Sequence, residues 1–313
     1  MKHILTALLA LVFLSASASA ESTLPRLHVN GNQLQTNEGT PITLRGVSLC
    51  SLAWHDALDL IPQANDTFAL NVLRLPVQTV EWNRVGKESY LRDYLDPAVK
   101  VCTDNNLYCI IDWHAVEDWT DEKVIQELED FWSVVAPRYT NHPNILYEVF
   151  NEPTTPKSHT TKNWLQWRSQ AQKWVNAIRE DAPDTVLLMG SPHWSQMPSF
   201  ALDHPFEDNN IAYVMHLYPH IAQRYWDMIF GNASKHVPIF ISEWGWTAQE
   251  ENKDVLYYSS RKKFGEPLKK YLKDKPHINW TAWSYDPKCG PAMLGGDSDM
   301  YTFVKDWLID ANN

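Results

Sequence analysis

Two glutamates each close a strand-like apolar run. The first ends Ile145-Leu-Tyr-Glu-Val-Phe-Asn-Glu152-Pro, and the second ends Pro238-Ile-Phe-Ile-Ser-Glu243-Trp-Gly, 91 residues later. A carboxylate directly after an apolar strand stands at the rim of a sheet, where burial and neighbouring charges shift its pKa. Two of them facing one cleft are equipped to cleave a glycosidic bond, one as acid/base and the other as nucleophile. A single glutamate at a strand end is ordinarily solvated or ion-paired, so the weight falls on which other side chains share the rim.

The elements that would position them repeat from Ile42 onward: an apolar run, a polar loop, then a segment of helical period. Strands are expected at 42–49, 71–76, 107–113, 145–150, 185–190, 211–217, 238–242 and 279–284. Several are nearly continuous apolar runs, as in parallel strands covered on both faces. Helical period is clearest at 121–136, where Val124, Leu128, Phe131, Trp132 and Val135 share a stripe. At 163–180, Trp164, Trp167, Ala171, Trp174 and Ile178 do the same, and these tryptophans read as core. Eight strands alternating with helices and no linker imply one α/β domain over 21–313, a (β/α)8 TIM barrel. The competing doubly wound open sheet lacks the glycine-rich turn after its first strand. Ahead of the barrel, Leu27 to Leu34 around Asn30-Gly31 reads as a β-hairpin closing the bottom.

A closed barrel brings all strand C-termini to one rim. Along it fall Arg74, His114, Asn151 with Glu152, Trp194, His216 with Tyr218, Glu243 and Trp283. Asn-Glu-Pro after strand four, Glu-Trp-Gly after strand seven, and Arg, His, His-x-Tyr and Trp at the strand ends between them resemble glycoside hydrolase family 5. The resemblance runs from about Ile42 to the C-terminus, and it implies a retaining endo-β-glycanase with Glu152 as acid/base and Glu243 as nucleophile. Arg74 and the Tyr218 hydroxyl would stabilise the Glu243 anion. The resemblance further places Asn151 and His114 against the reacting sugar, His216 beside the acid/base and Trp283 as a floor under the ring. It implies no metal ligand and no cofactor. Trp194, His193 and Trp246 are open between packing and sugar contact. Trp54, Trp82 and Trp119 are expected in loops that extend the cleft, and His220 either faces it or caps the next helix.

Composition fits an uncharged partner. Residues 1–20 carry Lys2, an apolar run from Ile4 to Leu14 and Ala18-Ser19-Ala20, the pattern of a cleaved export signal, so the chain is expected to be secreted, extracellular or periplasmic. Without them 26 basic residues face 38 acidic ones, and a net −12 disfavours nucleic acid and anionic membranes. Fifteen Trp and thirteen Tyr supply flat rings of the kind that stack on sugars. Cys50, Cys102, Cys109 and Cys289 fit no zinc spacing, and in an oxidising compartment they allow three pairings. The expected one is Cys102–Cys109, helix end to next strand, with Cys50–Cys289, which requires the first and last strands to be neighbours. Three Asn-x-Ser/Thr triplets, at Asn65, Asn232 and Asn279, are assigned no role.

The expected activity is internal hydrolysis of a β-1,4-linked glucan, with an oligosaccharide or polysaccharide as the partner and a monomer as the working unit. Short loops suit an open groove, and soluble or amorphous substrate is expected. The alternatives are a β-mannanase or mixed-linkage glucanase on the same barrel, a sugar-binding barrel without catalysis, and a metal-dependent hydrolase.

Overall fold

The computed structural model describes residues 22–54, 56–249, 253, 255–295 and 298–312. The expected export signal lies outside them. Eight parallel strands close into a barrel: Arg45–Ser48 (β1), Val72–Gln78 (β2), Tyr108–His114 (β3), Ile145–Glu148 (β4), Leu187–Met189 (β5), Ile211–Leu217 (β6), Ile239–Trp244 (β7) and Asn279–Trp283 (β8). β8 pairs with β1, with Trp283 opposite Ser48, so first and last strands are neighbours. Both expected disulfides, Cys50–Cys289 and Cys102–Cys109, are formed.

The barrel helices lie outside. Helix α1 is Ala57–Phe68, and a helical stretch from Lys87 ends in α2, Asp96–Asp104. Helix α3, Glu122–Tyr139, buries Leu128, Phe131, Trp132 and Val135 of the expected stripe and leaves Val124 partly buried, and the Asp121 side chain caps it by accepting from the Lys123 amide at 2.8 Å. Helix α4, Thr161–Asp181, buries Trp164, Trp167 and Trp174 against the core and is capped by Thr160. Helices α5, Glu266–Lys273, and α6, Ser298–Asn312, flank β8. Among the described residues no helix is long and apolar enough to cross a membrane.

The expected first strand, 42–49, divides. Pro41–Ile42 pairs with Gln33–Thr36, which pairs in turn with Leu27–Asn30, giving a three-stranded antiparallel sheet rather than a bare hairpin. Its turn uses Gly31 at φ +61°, a left-handed position that a side chain would resist. Leu27 and Leu34 from this sheet, with Leu44, pack against Val72, Ile110, Leu146, Leu188, Val214 and Phe240 inside the barrel. The bottom is thereby sealed with an apolar plug, as expected.

Strand alternation converts that bottom layer into a polar top layer. Two residues above Val72, Ile110, Leu146 and Val214 on the same faces stand Arg74, Asp112, Glu148 and His216, all fully buried. On β7 the rule is broken. Val214 pairs with Phe240 but His216 pairs with Glu243, so one extra residue is inserted. This bulge turns Ser242 and Glu243, adjacent in sequence, towards the same interior network.

Candidate active site

Arg74 is the hub of the top layer. Its Nε lies 2.8 Å from Glu148 Oε2, and Nη2 lies 3.1 Å from Glu148 Oε1, a bidentate pair. Nη1 donates to Glu243 Oε1 at 2.9 Å, and Nη2 also reaches Asn151 Oδ1 at 2.7 Å and Asp112 Oδ2 at 3.0 Å. One permanent cation therefore holds three carboxylates. Burial alone would push Glu243 up, but the positive His216 and Arg74 outweigh it and hold the carboxyl below its ordinary value. Tyr218 adds a hydroxyl donor at 2.8 Å to Glu243 Oε2.

Glu152 approaches from the other side, carried by a second device. Val116–Glu117 after β3 pairs in parallel with Glu152–Pro153 after β4. The Glu152 amide donates to the Ala115 carbonyl at 2.9 Å, and the Asn151 amide to Trp113 at 3.1 Å. His216 Nδ1 lies 2.7 Å from Glu152 Oε1 and 3.5 Å from Glu243 Oε2. Carboxylate oxygens of Glu152 and Glu243 fall within 4.8 Å of each other. Burial would drive the proton off His216, but Glu243, Glu148 and Glu152 raise its pKa to about 10. The imidazolium thus sits between two carboxylates. Its Nε2 meets Ser242 Oγ at 3.1 Å, and that hydroxyl donates to Glu148 Oε1 at 2.9 Å.

A ring of contacts therefore runs from Glu152 through His216, Ser242, Glu148 and Arg74 to Glu243. Glu152 is the more open end, its side chain 16 % exposed against 6 % for Glu243. His114 is oriented by Asp112, whose Oδ2 lies 2.6 Å from Nδ1. It also stacks on Trp283 with centroids 5.2 Å apart and planes within 3°. Asn151 Nδ2 has no protein partner among the described residues, which leaves a donor for a ligand.

Arg74, His114, Asn151, Glu152, His216, Tyr218, Glu243 and Trp283 thus converge on one rim. Trp194 stands apart from their hydrogen bonds, half-buried after β5 in a left-handed stretch from His193 to Ser195, with Lys157 Nζ 5.3 Å from its ring. His193 contacts His159 instead, at 3.3 Å. The His220 side chain is exposed at the surface near His193, and its amide bonds to Leu256.

The three cleft-extending tryptophans divide. Trp54 is on the surface, donating to Glu81 at 3.1 Å. Trp82 is buried against Tyr90, Trp113 and Phe131, and Trp119 against Trp167, because apolar partners on β3 and on neighbouring helices claim them. Trp246 is fully buried among Trp244, Phe264 and Phe303 and belongs to the core. Sequence reasoning missed Asp112, Glu148 and Ser242. A charge embedded inside a continuous apolar strand, as in Ile110-Ile-Asp112 and Leu146-Tyr-Glu148, was the available signal, since such a group must be paired.

Similarity to known proteins agrees with this geometry. Residues 35–289 match the family described as cellulase (glycosyl hydrolase family 5). Endoglucanase A of Butyrivibrio fibrisolvens is 30 % identical over 91 % of this chain and 68 % of its own length. An endoglucanase of Clostridium saccharobutylicum is 29 % identical over 95 % and 68 %. Beta-glucanase SdGluc5_26A from Saccharophagus degradans, solved in complex with cellotetraose, superposes with a TM-score of 0.84 at 26 % identity, covering 94 % of this chain and 95 % of that one. With a match across most of its length and the eight-stranded barrel of a glycosidase, this chain is a hydrolase of glycoside hydrolase family 5.

Proposed function

We propose that the protein is a secreted, monomeric endo-β-1,4-glucanase acting by double displacement, with Glu243 as nucleophile and Glu152 as acid/base. The observation that carries the mechanism is the separation of the two carboxylates, with oxygens within 4.8 Å. Retaining enzymes hold their pair about 5–5.5 Å apart, whereas inverting ones leave about 6.5–9.5 Å for a water. The asymmetry of charge supports the assignment of roles. Glu243 is held as an anion by Arg74, His216 and Tyr218, as a nucleophile must be. Glu152 has no contact with Arg74 among the described ion pairs and is more open to solvent.

In the first step Glu243 attacks the anomeric carbon while Glu152 gives its proton to the departing oxygen. In the second, Glu152 takes a proton from water, and the hydroxide formed releases the sugar from Glu243. Arg74 and Tyr218 keep the nucleophile oriented through both steps. His114 and Asn151 face the sugar, with Trp283 as its floor and Trp194 as a contact on the rim. No metal or cofactor is needed. Glu152, His216 and Glu243 are close enough to be ligands, but a protonated imidazole has no lone pair to offer, and its own charge serves between the carboxylates.

Glucan is favoured over mannan because the structural relative bound to cellotetraose is a beta-glucanase. Secretion is supported by the N-terminal pattern and by two disulfides. The test is Glu152→Gln, expected to abolish hydrolysis of unactivated polysaccharide, with Glu243→Ala rescued by azide to give an inverted glycosyl azide. Wild-type turnover in either variant would overturn the roles. Comparing soluble β-glucan, carboxymethylcellulose and mannan decides the substrate, and a strong preference for mannan would refute the glucan assignment. A chelator should leave the rate unchanged.

A further inference from the structure

We infer that the Cys50–Cys289 crosslink is a positioning device for the sugar platform, acting on Trp283 through the carbonyl of Gly290. The inference rests on the reading of Trp283 as the floor of the site. Among the described residues the Trp283 indole has one hydrogen bond, from Nε1 to Gly290 O at 3.1 Å. Gly290 follows Cys289 directly, and the Cys289 carbonyl accepts from Ser284 Oγ at 2.6 Å. The turn between them is tied from inside by Asp286, which is buried and whose Oδ1 takes the amides of Lys288 and Cys289, each at 2.7 Å.

Lys288 and Gly290 at the tip of this turn are exposed, while Pro291 beyond them is buried and its carbonyl accepts from the Ser284 amide at 3.1 Å. The tip is also tied outward, by the bond to Cys50, two residues beyond the end of β1. The Cys50 carbonyl is itself held by Gln78 Nε2 at 2.8 Å, from the last residue of β2. The crosslink therefore anchors the turn after β8 to the ends of β1 and β2. Trp283 in turn stacks on His114 and lies with its centroid 5.7 Å from the Arg74 guanidinium carbon. Cut the tie, and the exposed tip that carries the Gly290 carbonyl is held from its own side alone, so the one acceptor that the indole has among the described residues is less firmly placed. A sugar must then order the ring as it binds. Ordering one large side chain on binding weakens a complex about two- to tenfold.

The other disulfide, Cys102–Cys109, ties α2 to β3 at the start of the strand, away from the rim, and serves as the control. In a Glu152→Gln background, cellotetraose binding is titrated against the parent, Cys50→Ser/Cys289→Ser, Cys102→Ser/Cys109→Ser and Trp283→Ala, all well below their melting midpoints. The Cys50/Cys289 pair is expected to weaken binding about two- to tenfold, whereas the Cys102/Cys109 pair lowers the midpoint and leaves Kd in place. If the first pair does not fold, Asp286→Ala is expected to reproduce the loss and Asp286→Asn, which keeps an acceptor, to restore it. Parent-like Kd in folded Cys50→Ser/Cys289→Ser, or in Asp286→Ala where that pair does not fold, while Trp283→Ala binds weakly, would overturn the positioning role. Parent-like Kd in Trp283→Ala would instead overturn the platform on which it rests.

Discussion

Replacing Glu148 by Gln tests the electrostatic design of the barrel interior most directly. The carboxylate is fully buried, pairs with Arg74 through both oxygens at 2.8 and 3.1 Å, and accepts from Ser242 at 2.9 Å. Burial raises its pKa, but Arg74 and His216 more than offset this and bring it down to about 2, against 4.5 for the free group. A displacement of that size is worth about 3 kcal/mol of folding stability at neutral pH. Because the folded value is depressed, the contribution is complete above about pH 4.5 and is lost as pH falls towards about 2. An independent route agrees: removing one partner of a buried ion pair costs about 3–5 kcal/mol, and Arg74 keeps Glu243 and Asp112, which favours the lower end. Urea unfolding of wild type and Glu148→Gln across this range should give a gap of about 3 kcal/mol near neutrality that closes as the medium becomes acidic. A gap below about 1 kcal/mol near neutrality, or one that does not change on acidification, would refute the reasoning.

His216 works in the opposite sense. Its folded pKa of about 10 lies above the ordinary 6.5, so its stabilisation is full below about 6.5 and disappears as pH rises towards 10. The difference in melting midpoint between wild type and His216→Asn should therefore shrink through that alkaline window, and a difference that grew with pH would contradict the imidazolium. Trp246→Ala should cost about 3–5 kcal/mol and leave KM for polysaccharide unchanged in the folded fraction. Trp54→Ala should do the reverse, with a raised KM and an unaltered unfolding midpoint. At the sealed end of the barrel, Leu34→Ala should cost about 2–5 kcal/mol in denaturant unfolding without altering the pH–rate profile.

Much of this molecule is legible without coordinates. Parallel strands covered on both faces read as apolar runs, and the closing pair β8–β1 follows from eight of them. Joining Cys50 to Cys289 follows from the same closure. The two glutamates proposed for the chemistry, Glu152 and Glu243, stand out because each ends its run. Other features depend on distances that a linear pattern does not contain. The bulge between Phe240 and Glu243 is invisible, since a strand with one extra residue has the same composition as one without. Trp82 and Trp119 lie in segments that read as loops, and Trp246 reads equally as packing or sugar contact, yet large rings are pulled inward wherever neighbouring elements offer apolar surface. The split of the first strand at Thr43 and Leu44 has a similar origin. Ile42 is drawn to the plug sheet, while Arg45 opens the barrel.

The small parallel pairing of Val116–Glu117 with Glu152–Pro153 bears on how such an enzyme can be redesigned. The segment that carries Glu152 leans on the excursion following the third strand, so the two are mechanically one part. Grafting a longer insertion at 116–117 to reach extra sugar units would shift Glu152 as well, and libraries that recombine these excursions freely would discard active members for reasons unrelated to substrate fit. Exchanging them as a joined cassette keeps Glu152 where it was.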